Sequence, residues 1–352
     1  MLIEKLMSGL ARQRPGDRRN DYDVTNSVQV SSVDAVRDAI QMLFEASYPS
    51  ASFDVVWMAF LDFDQLFDGR LASYTGCDTV YHDKQHSLDV TLATARILAG
   101  YEKSCPKREQ IGSERATIAL IAALFHDSGY IRRTDETARL NGAEFTLWHV
   151  SRSAEFLADY VGRLGLSDFS DIASRIVHFT GYELDLDDIE LDDPRDLLIG
   201  HFLGTADLIA QMADRCYLEK CRDRLYAEFV LAGIAMSDRK SGRQNVLYSS
   251  GVDLLKKTPE FVRNSARIRL HQNFRRAYQH INALYDGRNP YIEFIDHNLK
   301  YLGHVIGNSD WSSLRRHPPC FTALRNPLRS VSALVSRYLA KRGAPAAALA
   351  TP

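Results

Sequence analysis

The fold of this chain is decided by the stretch Tyr81-His82-Asp83-Lys84-Gln85-His86-Ser87-Leu88-Asp89-Val90. Within it, His82, His86 and Asp89 follow one another at spacings of four and three residues, which predicts that they share one face of a helix. Forty residues after His86 the chain reads Phe125-His126-Asp127-Ser128-Gly129, at the end of an apolar helical pattern. Imidazoles and carboxylates that converge from separate helices are typical ligands of a divalent cation. The two segments therefore predict a metal site inside a helical domain.

Composition and charge narrow the class of protein. The chain has 352 residues, of which 45% are hydrophobic and 25% charged, which is ordinary globular usage and excludes disorder throughout. The net charge of -2 gives no general attraction to nucleic acid or to an anionic membrane. We therefore expect no nucleic acid polymer as partner and a small molecule as ligand; self-association into a homodimer is left open.

Cysteine usage and the absence of targeting signals indicate the compartment. The five cysteines form no CxxC pair and are odd in number, which favours reduced thiols in the cytoplasm. Residues 1–10 lack a small-residue cleavage site, and no run of the sequence approaches the roughly 18 apolar residues of a membrane span. We expect a cytoplasmic protein without a membrane span.

Apolar residues recur at helical spacing along most of the chain, and no strong hairpin signal is present. The first stripe begins at Val33, and a second helix over Phe53–Phe67 ends at Asp68-Gly69. The segment Ala116–Phe125 is apolar on every side, which predicts a helix buried on all faces. Further helices are predicted at about residues 144–164, 168–179, 197–213, 216–236, 259–285 and 291–306. The predicted fold class is all-α.

The same patterns divide the chain into a central domain and its extensions. We expect a flexible N-terminal segment over residues 1–30, a helical domain over 31–310, an amphipathic helical extension over 311–342 and a disordered tail over 343–352. The extension carries an apolar stripe flanked by basic residues, so it either touches an anionic surface or partner, or packs onto the domain itself.

The adjacent pair His126-Asp127 can reach one centre only where the backbone leaves the regular helix, as at this helix end. Asp207 is the candidate for a further ligand because it interrupts an otherwise apolar run, and a buried carboxylate needs a cation or several hydrogen bonds. Asp214 is its rival. Asp89 is expected to orient a catalytic or metal-ligating imidazole through its carboxylate.

The motif Tyr81-His82-x3-His86-x2-Asp89-Val90 followed by His126-Asp127 resembles the HD superfamily of metal-dependent phosphohydrolases. Within that superfamily it is most similar to the catalytic domain of the cyclic-nucleotide phosphodiesterases. The resemblance implies an HD-domain helical bundle with additional N- and C-terminal helices, and hydrolysis of a phosphoester by a metal-activated hydroxide. It also implies that His82 donates the proton and that the metal ligands are His86, His126, Asp127 and Asp207.

Departures from the phosphodiesterase pattern modify what the resemblance implies. Asp83 stands where those enzymes usually have Asn, and Ser128-Gly129-Tyr130 replaces their His-Pro-Gly, so cyclic-nucleotide specificity does not follow. Two further histidines, His149 and His178, give an order of ligands similar to that of binuclear HD proteins. We therefore expect two divalent ions, whether Mn, Mg, Fe or Zn.

A nucleotide-like phosphoester is the substrate that the resemblance favours. Lys84 and Arg175 are candidates to bind its phosphate. The six-ligand order also resembles the mixed-valent di-iron oxygenases, so a redox enzyme is the first alternative. A regulatory HD module that binds a nucleotide without turnover is the second.

Overall fold

The computed structural model describes residues 18–238 and 244–341. Over these ranges the fold is all-α, as the sequence predicts, with a single two-stranded hairpin. The helices are α1 (Val33–Ser47), α2 (Asp54–Phe67), α3 (Lys84–Ser104), α4 (Ser113–Phe125), α5 (His149–Arg163), α6 (Ser170–Ile176), α7 (Pro194–Ala213), α8 (Tyr217–Lys220), α9 (Tyr226–Leu231), α10 (Gly251–Phe261), α11 (Pro290–Asn308) and α12 (Pro327–Lys341). Strands β1 (Met236–Asp238) and β2 (Gln244–Val246) pair antiparallel. None of the described helices is both long and apolar enough to cross a bilayer.

Helix α3 is the centre of the domain. It packs against α1, α4, α7 and the 3-10 helix Ala277–Leu284, and nearly all of its residues from Gln85 to Gly100 are buried. The contact with the 3-10 helix depends on Gly100, because a Cβ at this position would lie 2.1 Å from the carbonyl oxygen of His280. A helix enclosed in this way holds any functional group on its first turn in a fixed position.

The start of α3 differs from the prediction that His82 and His86 share one helix face. Asp83 is the N-cap, since its side chain accepts a hydrogen bond from the backbone N–H of His86, and the helix begins at Lys84. His82 therefore lies in the preceding turn rather than one helical turn before His86. The cap fixes His86 on the first turn.

Over residues 18–30 the N-terminal segment packs into the domain, whereas the sequence predicts a flexible segment over 1–30. Val24, Val28 and Val30 belong to the core, and Asp23 is completely buried. Its carboxylate accepts a hydrogen bond of 2.6 Å from Nη2 of Arg96 on α3, which ties the segment to the centre of the domain. Residues 1–17 lie outside the described ranges.

The C-terminal helix α12 packs onto the domain itself. Val331, Val335 and Leu339 are buried, and the helix contacts α9. Of the two roles that its sequence pattern left open, the structure shows packing on the chain's own surface. The predicted tail over 343–352 lies outside the described residues.

Two predicted helices are interrupted. The helix expected over 216–236 contains a π turn at Cys221–Leu225 and ends at Leu231, where the chain enters the hairpin. The helix expected over 259–285 breaks at Arg275 and Arg276, whose φ angles of 49° and 58° are left-handed. Helical periodicity alone does not reveal such breaks, because the apolar residues keep their spacing across them.

Candidate metal centre

Four buried side chains from three helices meet at one point. His86 lies on the first turn of α3, His126 and Asp127 follow the last residue of α4, and Asp207 lies within α7. His86 Nε2 is 3.4 Å from Asp127 Oδ2, 3.3 Å from Asp207 Oδ1 and 3.3 Å from His126 Nε2. The ligand atoms of His86, His126 and Asp127 lie within 4.8 Å of one another, so these three residues could hold a metal ion.

His126 and Asp127 are adjacent in the sequence, yet both side chains reach this point. They can do so because helix α4 ends at Phe125, immediately before them. Asp127 has φ -102° and ψ 9°, outside the helical region, and a 3-10 turn over Ser128–Tyr130 follows. As a result His126 Nε2 and Asp127 Oδ2 are 3.3 Å apart. Gly129 permits the turn to pack on α5, since a Cβ there would lie 1.9 Å from the carbonyl oxygen of His149.

Hydrogen bonds leave the inward atoms of the cluster available to a cation. His126 Nδ1 lies 2.7 Å from the carbonyl oxygen of Ala123; as the donor to that oxygen, it leaves Nε2 with its lone pair toward the cluster. Asp127 Oδ2 is buried, and within the described ranges it has no hydrogen-bond partner. A buried carboxylate oxygen without a donor is costly, so an ion or proton is required near it.

The pKa shifts of His126 and Asp127 also indicate that the cluster favours a positive charge. Burial by itself lowers the pKa of His126, but Asp127 and Asp207 outweigh it and raise the pKa to about 9. Burial likewise raises the pKa of Asp127, yet the charge of His126, 3.3 Å away, holds that pKa well below its usual range. A divalent cation would replace the proton, and the donor set of imidazoles and carboxylates suits such an ion.

His149 lies beside the cluster, at the first position of α5. Its Nε2 is 3.7 Å from Asp127 Oδ1, and its Nδ1 lies 2.8 Å from the carbonyl oxygen of Thr146. Glu183 fixes this helix end, because its carboxylate accepts hydrogen bonds from the backbone N–H groups of Val150 and Ser151. Asp127 therefore has its Oδ2 toward His86 and its Oδ1 toward His149.

The structure does not bring His178 into the cluster. It belongs to the 3-10 turn Val177–Thr180, its Nδ1 is buried without a hydrogen-bond partner among the described residues, and it does not line the cavity above the cluster. Thr180 to Glu183 line that cavity instead. The change from α-helix to 3-10 helix after Ile176 alters which side chains face inward, and the 3.6-residue period does not anticipate it.

His82 reaches the cavity together with an acidic partner that the sequence analysis missed. His82 Nδ1 lies 2.6 Å from Glu228 Oε2, and Glu228 Oε1 accepts 2.6 Å hydrogen bonds from the backbone N–H groups of Val80 and Tyr81. Glu228 is fully buried and raises the pKa of His82, although burial alone would lower it. The available signal was an acid within the apolar helical segment Tyr226–Leu231, the same signal that identified Asp207.

Asp89 does not play the orienting part that its sequence position predicts. Among the described contacts it has no hydrogen bond to His82 or His86, and its Oδ1 is buried without a partner. It lines a separate small cavity with His86, Asp214 and Lys220, and burial together with Asp214 raises its pKa to about 7. The helix start at Lys84 accounts for the missing contact with His82, since His82 lies before the helix that carries Asp89.

Lys84 and Arg175 lie outside the cavity, so neither is placed to bind a phosphate there. Lys84 forms ion pairs with Asp64, at 2.9 Å, and with Asp68. Arg175 pairs with Asp171 one turn earlier, at 2.8 Å, and donates to the carbonyl oxygen of Glu190. Both cations already have acidic or carbonyl partners on the outside of the domain.

The cluster forms the floor of a cavity of about 340 Å³. His82, Tyr130 and His149 stand together at one side, with Tyr130 stacked on each imidazole at ring distances of 4.6 and 4.3 Å. Much of the remaining lining is apolar: Leu208, Met212, Leu225, Phe229, Ile234, Leu254 and Phe261. Apart from the histidines, Lys257 is the one basic residue among the described residues that line the cavity.

Comparison with known proteins agrees with this arrangement. Residues 84–193 match the family model of the HD domain. This range contains His86, His126, Asp127 and His149, whereas His82, Asp207 and Glu228 lie outside it. A search of curated proteins finds no match.

Proposed function

We propose that this chain, whose residues 84–193 match the HD-domain family model, is a metal-dependent phosphohydrolase of that superfamily and hydrolyses the phosphoester of a small, nucleotide-like molecule. The observation that carries the proposal is the buried Oδ2 of Asp127. Among the described residues it lacks a hydrogen-bond donor, and it lies 3.3 and 3.4 Å from the inward nitrogens of His126 and His86. These atoms lie at the floor of a cavity that a substrate can enter.

The residues that would hold a first divalent ion are His86, His126, Asp127 and Asp207. His149 and the second oxygen of Asp127 would contribute to a second ion. When bound, such ions lower the pKa of water and neutralise phosphate oxygens. The chain brings the ligand atoms together, because each imidazole turns its Nε2 toward the cluster. The hydrogen bonds of His126 and His149 to backbone carbonyls fix that orientation.

His82 is the group that would protonate the leaving oxygen. Glu228 holds its Nδ1 at 2.6 Å, so the other ring nitrogen is the one that a ligand in the cavity can meet. The buried carboxylate favours the imidazolium form of His82, which keeps a proton available for transfer. Tyr130 stacks on the ring and restricts its rotation.

The shape of the cavity supports a nucleotide-like substrate. Its volume of about 340 Å³ suits a small molecule rather than a polymer. The apolar part of the lining provides a surface for a base, and Gln211 and Thr258 add polar groups to the cavity. Lys257, on α10, lines the cavity, which Lys84 and Arg175 do not, and is the proposed contact for substrate phosphate. To make that contact its ammonium would exchange its present partners, Asp253 at 3.1 Å and the carbonyl oxygen of Leu247 at 2.6 Å.

The proposal is tested by turnover of a panel of phosphoesters, including nucleotides, cyclic nucleotides and aryl diesters, with and without a chelator. We expect chelator-sensitive hydrolysis by the parent protein. His82→Ala should retain its metal but lose about 10²- to 10⁴-fold in turnover of esters with poor leaving groups, and less with good ones. His304→Ala, an exposed histidine on α11, is the matched control and should behave as the parent.

Two outcomes would contradict the proposal. Equal turnover of poor esters by His82→Ala and the parent would remove the acid role of His82. Binding of nucleotides without turnover across the panel would favour the regulatory module. The di-iron oxygenase is less favoured because His178 does not join the cluster, and redox-active iron in protein purified without oxygen would revive it.

A further inference from the structure

Two segments of opposite charge meet on the surface of the domain. The first, the acidic loop, is residues 185–192, which contains no basic residue and five exposed acids: Asp185, Asp187, Asp188, Glu190 and Asp192. The second, the basic segment, is residues 262–276, which contains five arginines and no acid. Of these arginines, Arg269 is buried and the other four are exposed: Arg263, Arg267, Arg275 and Arg276.

The buried Arg269 holds the two segments next to each other. Its Nη1 donates a hydrogen bond of 2.7 Å to the carbonyl oxygen of Gly181, and its guanidinium carbon lies 4.1 Å from the ring centroid of Tyr182. The hydroxyl groups of Tyr182 and Ser265 are 3.1 Å apart. Since Tyr182 precedes the acidic loop by three residues and Ser265 belongs to the basic segment, the two segments share one surface.

The exposed charges of this surface are not neutralised within the described parts of the chain. None of the five acids of the loop, and none of the four exposed arginines, forms an ion pair there through its side chain. Arg175 lies beside the loop, but its guanidinium pairs with Asp171 at 2.8 Å and meets the loop through the backbone carbonyl of Glu190. Both segments therefore keep their charge available to a partner.

Exposed apolar side chains accompany these charges. Tyr182 and Leu184, just before the acidic loop, are 63% and 44% exposed, and Phe261 and Ile268, beside and within the basic segment, are 41% and 42% exposed. Tyr182 and Phe261 both line the cavity above the metal cluster, so the apolar part of the surface reaches that cavity. Large hydrophobic side chains exposed together with charged neighbours are typical of an interaction surface.

The presence of both signs of charge limits what the partner can be. An anionic membrane or an acidic peptide would attract the basic segment but would be repelled by the acidic loop. A second copy of this chain suits both segments, because rotation by 180° brings the acidic loop of each copy to the basic segment of the other. Every contact of such an interface occurs twice, so the attractions of exposed charges are doubled.

We propose that the acidic loop, the basic segment and their exposed hydrophobic side chains form the interface of a symmetric homodimer. The carboxylates of Asp187 and Asp188 in one copy face the guanidinium groups of the basic segment in the other. Arg263 and Arg267 are the proposed partners, since they flank Ser265 at the contact between the two segments. The dimer does not depend on the phosphohydrolase activity, because no proposed metal ligand belongs to this surface.

The test is the mass of the full chain in solution, measured by sedimentation equilibrium at low ionic strength. We expect the parent to form dimers of twice the chain mass, with a Kd that rises as salt is added because exposed charges are screened. Arg263→Glu with Arg267→Glu should raise the Kd about 100-fold or more, since attractions in both halves of the interface become repulsions. Asp187→Lys with Asp188→Lys should act in the same way.

A matched control separates the interface from net charge. Arg325→Glu with Arg329→Glu makes the same change of net charge at two exposed arginines outside the two segments. We expect its Kd to stay within about twofold of the parent value, because distant surface charges are largely screened.

Mixing the two reversed variants distinguishes a lost interface from a lost fold. In such a pair the unchanged acidic loop of one chain meets the unchanged basic segment of the other, and the two reversed segments also attract. The mixture should therefore form heterodimers with a Kd within about tenfold of the parent value.

Three outcomes would overturn the proposal. The first is a parent that stays monomeric at the highest concentration measured, and binding of that monomer to vesicles of anionic lipid would assign the basic segment to a membrane instead. The second is a dimer whose Kd the reversed variants leave unchanged. The third is a mixture that stays monomeric although each variant keeps the Tm of the parent.

Discussion

Two buried polar regions share helix α3, and only one of them is complete in itself. Asp23 and Arg96 form the first: the two Asp23 oxygens accept hydrogen bonds from Thr25, Ser27, Val28 and Arg96. Arg96 Nη1 in turn donates to the hydroxyl of Tyr291 at 2.8 Å. The second is the cluster of His86, His126, Asp127 and Asp207, where Asp127 Oδ2 finds no hydrogen-bond donor among the described residues.

This difference in hydrogen-bond donors distinguishes a structural ion pair, Asp23–Arg96, from a ligand-binding site, the cluster around Asp127. Donors surround Asp23 from every direction, so a ligand could add nothing to it. At Asp127 the neighbours within reach are groups that would themselves bind a cation, which leaves the carboxylate dependent on an ion or a proton. Both regions are buried, and the number of hydrogen-bond donors around each carboxylate distinguishes them.

The largest expected effect comes from Asp127→Asn. The amide cannot replace the charge that holds a cation, so metal-dependent turnover should fall by more than the roughly 10- to 100-fold that follows loss of an outer hydrogen-bond partner alone. Mn²⁺ at about 100 times its Kd should stabilise the parent by about 2.7 kcal/mol, seen as a rise in Tm, and should leave the variant unchanged.

Asp23→Asn is the matched control for that experiment. It should lower the Tm of the metal-free protein while keeping the rise on addition of Mn²⁺, because Asp23 lies in the self-contained region. An undiminished Mn²⁺ effect in Asp127→Asn would show that the cluster is not the metal site.

Arg96→Met tests the other region. Methionine retains most of the volume but leaves the Asp23 carboxylate buried and uncompensated, which should lower the free energy of unfolding by about 3–5 kcal/mol. Denaturant unfolding of the chelated protein measures this. Arg288→Ala removes one partner of the exposed pair with Glu293 and should cost under about 1 kcal/mol. Similar losses in both variants would mean that the Asp23–Arg96 pair does not hold the N-terminal segment.

Glu228 combines features of the two regions. Both of its carboxylate oxygens have hydrogen-bond partners, and one of those partners is the site residue His82. Glu228→Gln should preserve the fold and the metal, but weaken the preference for the imidazolium form of His82. We expect a decrease of about tenfold in kcat for poor leaving groups, a part of what a general acid supplies, with little change for good ones. A uniform decrease across leaving groups would instead indicate a disturbed site.

The smallest effect is a dependence of stability on pH. Burial alone raises the pKa of Asp23, but Arg96 and the hydrogen bonds outweigh it and hold the pKa below its ordinary value of 3.8. A carboxyl whose folded-state pKa is lowered contributes stability above its unfolded pKa, and that contribution disappears as the pH falls through the folded value. The difference in free energy of unfolding between the parent and Asp23→Asn should therefore be constant above about pH 5 and shrink below about pH 4. A difference in free energy of unfolding that grows as the pH falls would contradict this prediction.

Several features of the fold follow from local sequence. Helix α2 ends at Phe67, immediately before Asp68-Gly69, as the sequence predicts. The segment Ala116–Phe125 is buried on every face, as its uniform apolarity predicts. Such features are readable because propensity, capping and periodicity act within a few residues of one another.

Other features escape a local reading. The start of α3 at Lys84 moves His82 off the helix face, and the 3-10 turn at Val177 moves His178 away from the cluster. Glu228 is 146 residues from His82 in the chain, so no spacing rule joins them. The N-terminal segment contains Pro15 and Gly16, yet residues 18–30 are ordered by a contact with Arg96, 73 residues from Asp23.

The sequence by itself determined the helical class, the match of residues 84–193 to the HD-domain family model and the chemical types that meet at the centre, because apolar spacing and the His-Asp motif are local properties of the chain. Only the tertiary structure decided which acids serve the site and which serve the fold. That distinction depends on how many hydrogen-bond donors surround each buried oxygen, and those donors come from segments far apart in the sequence.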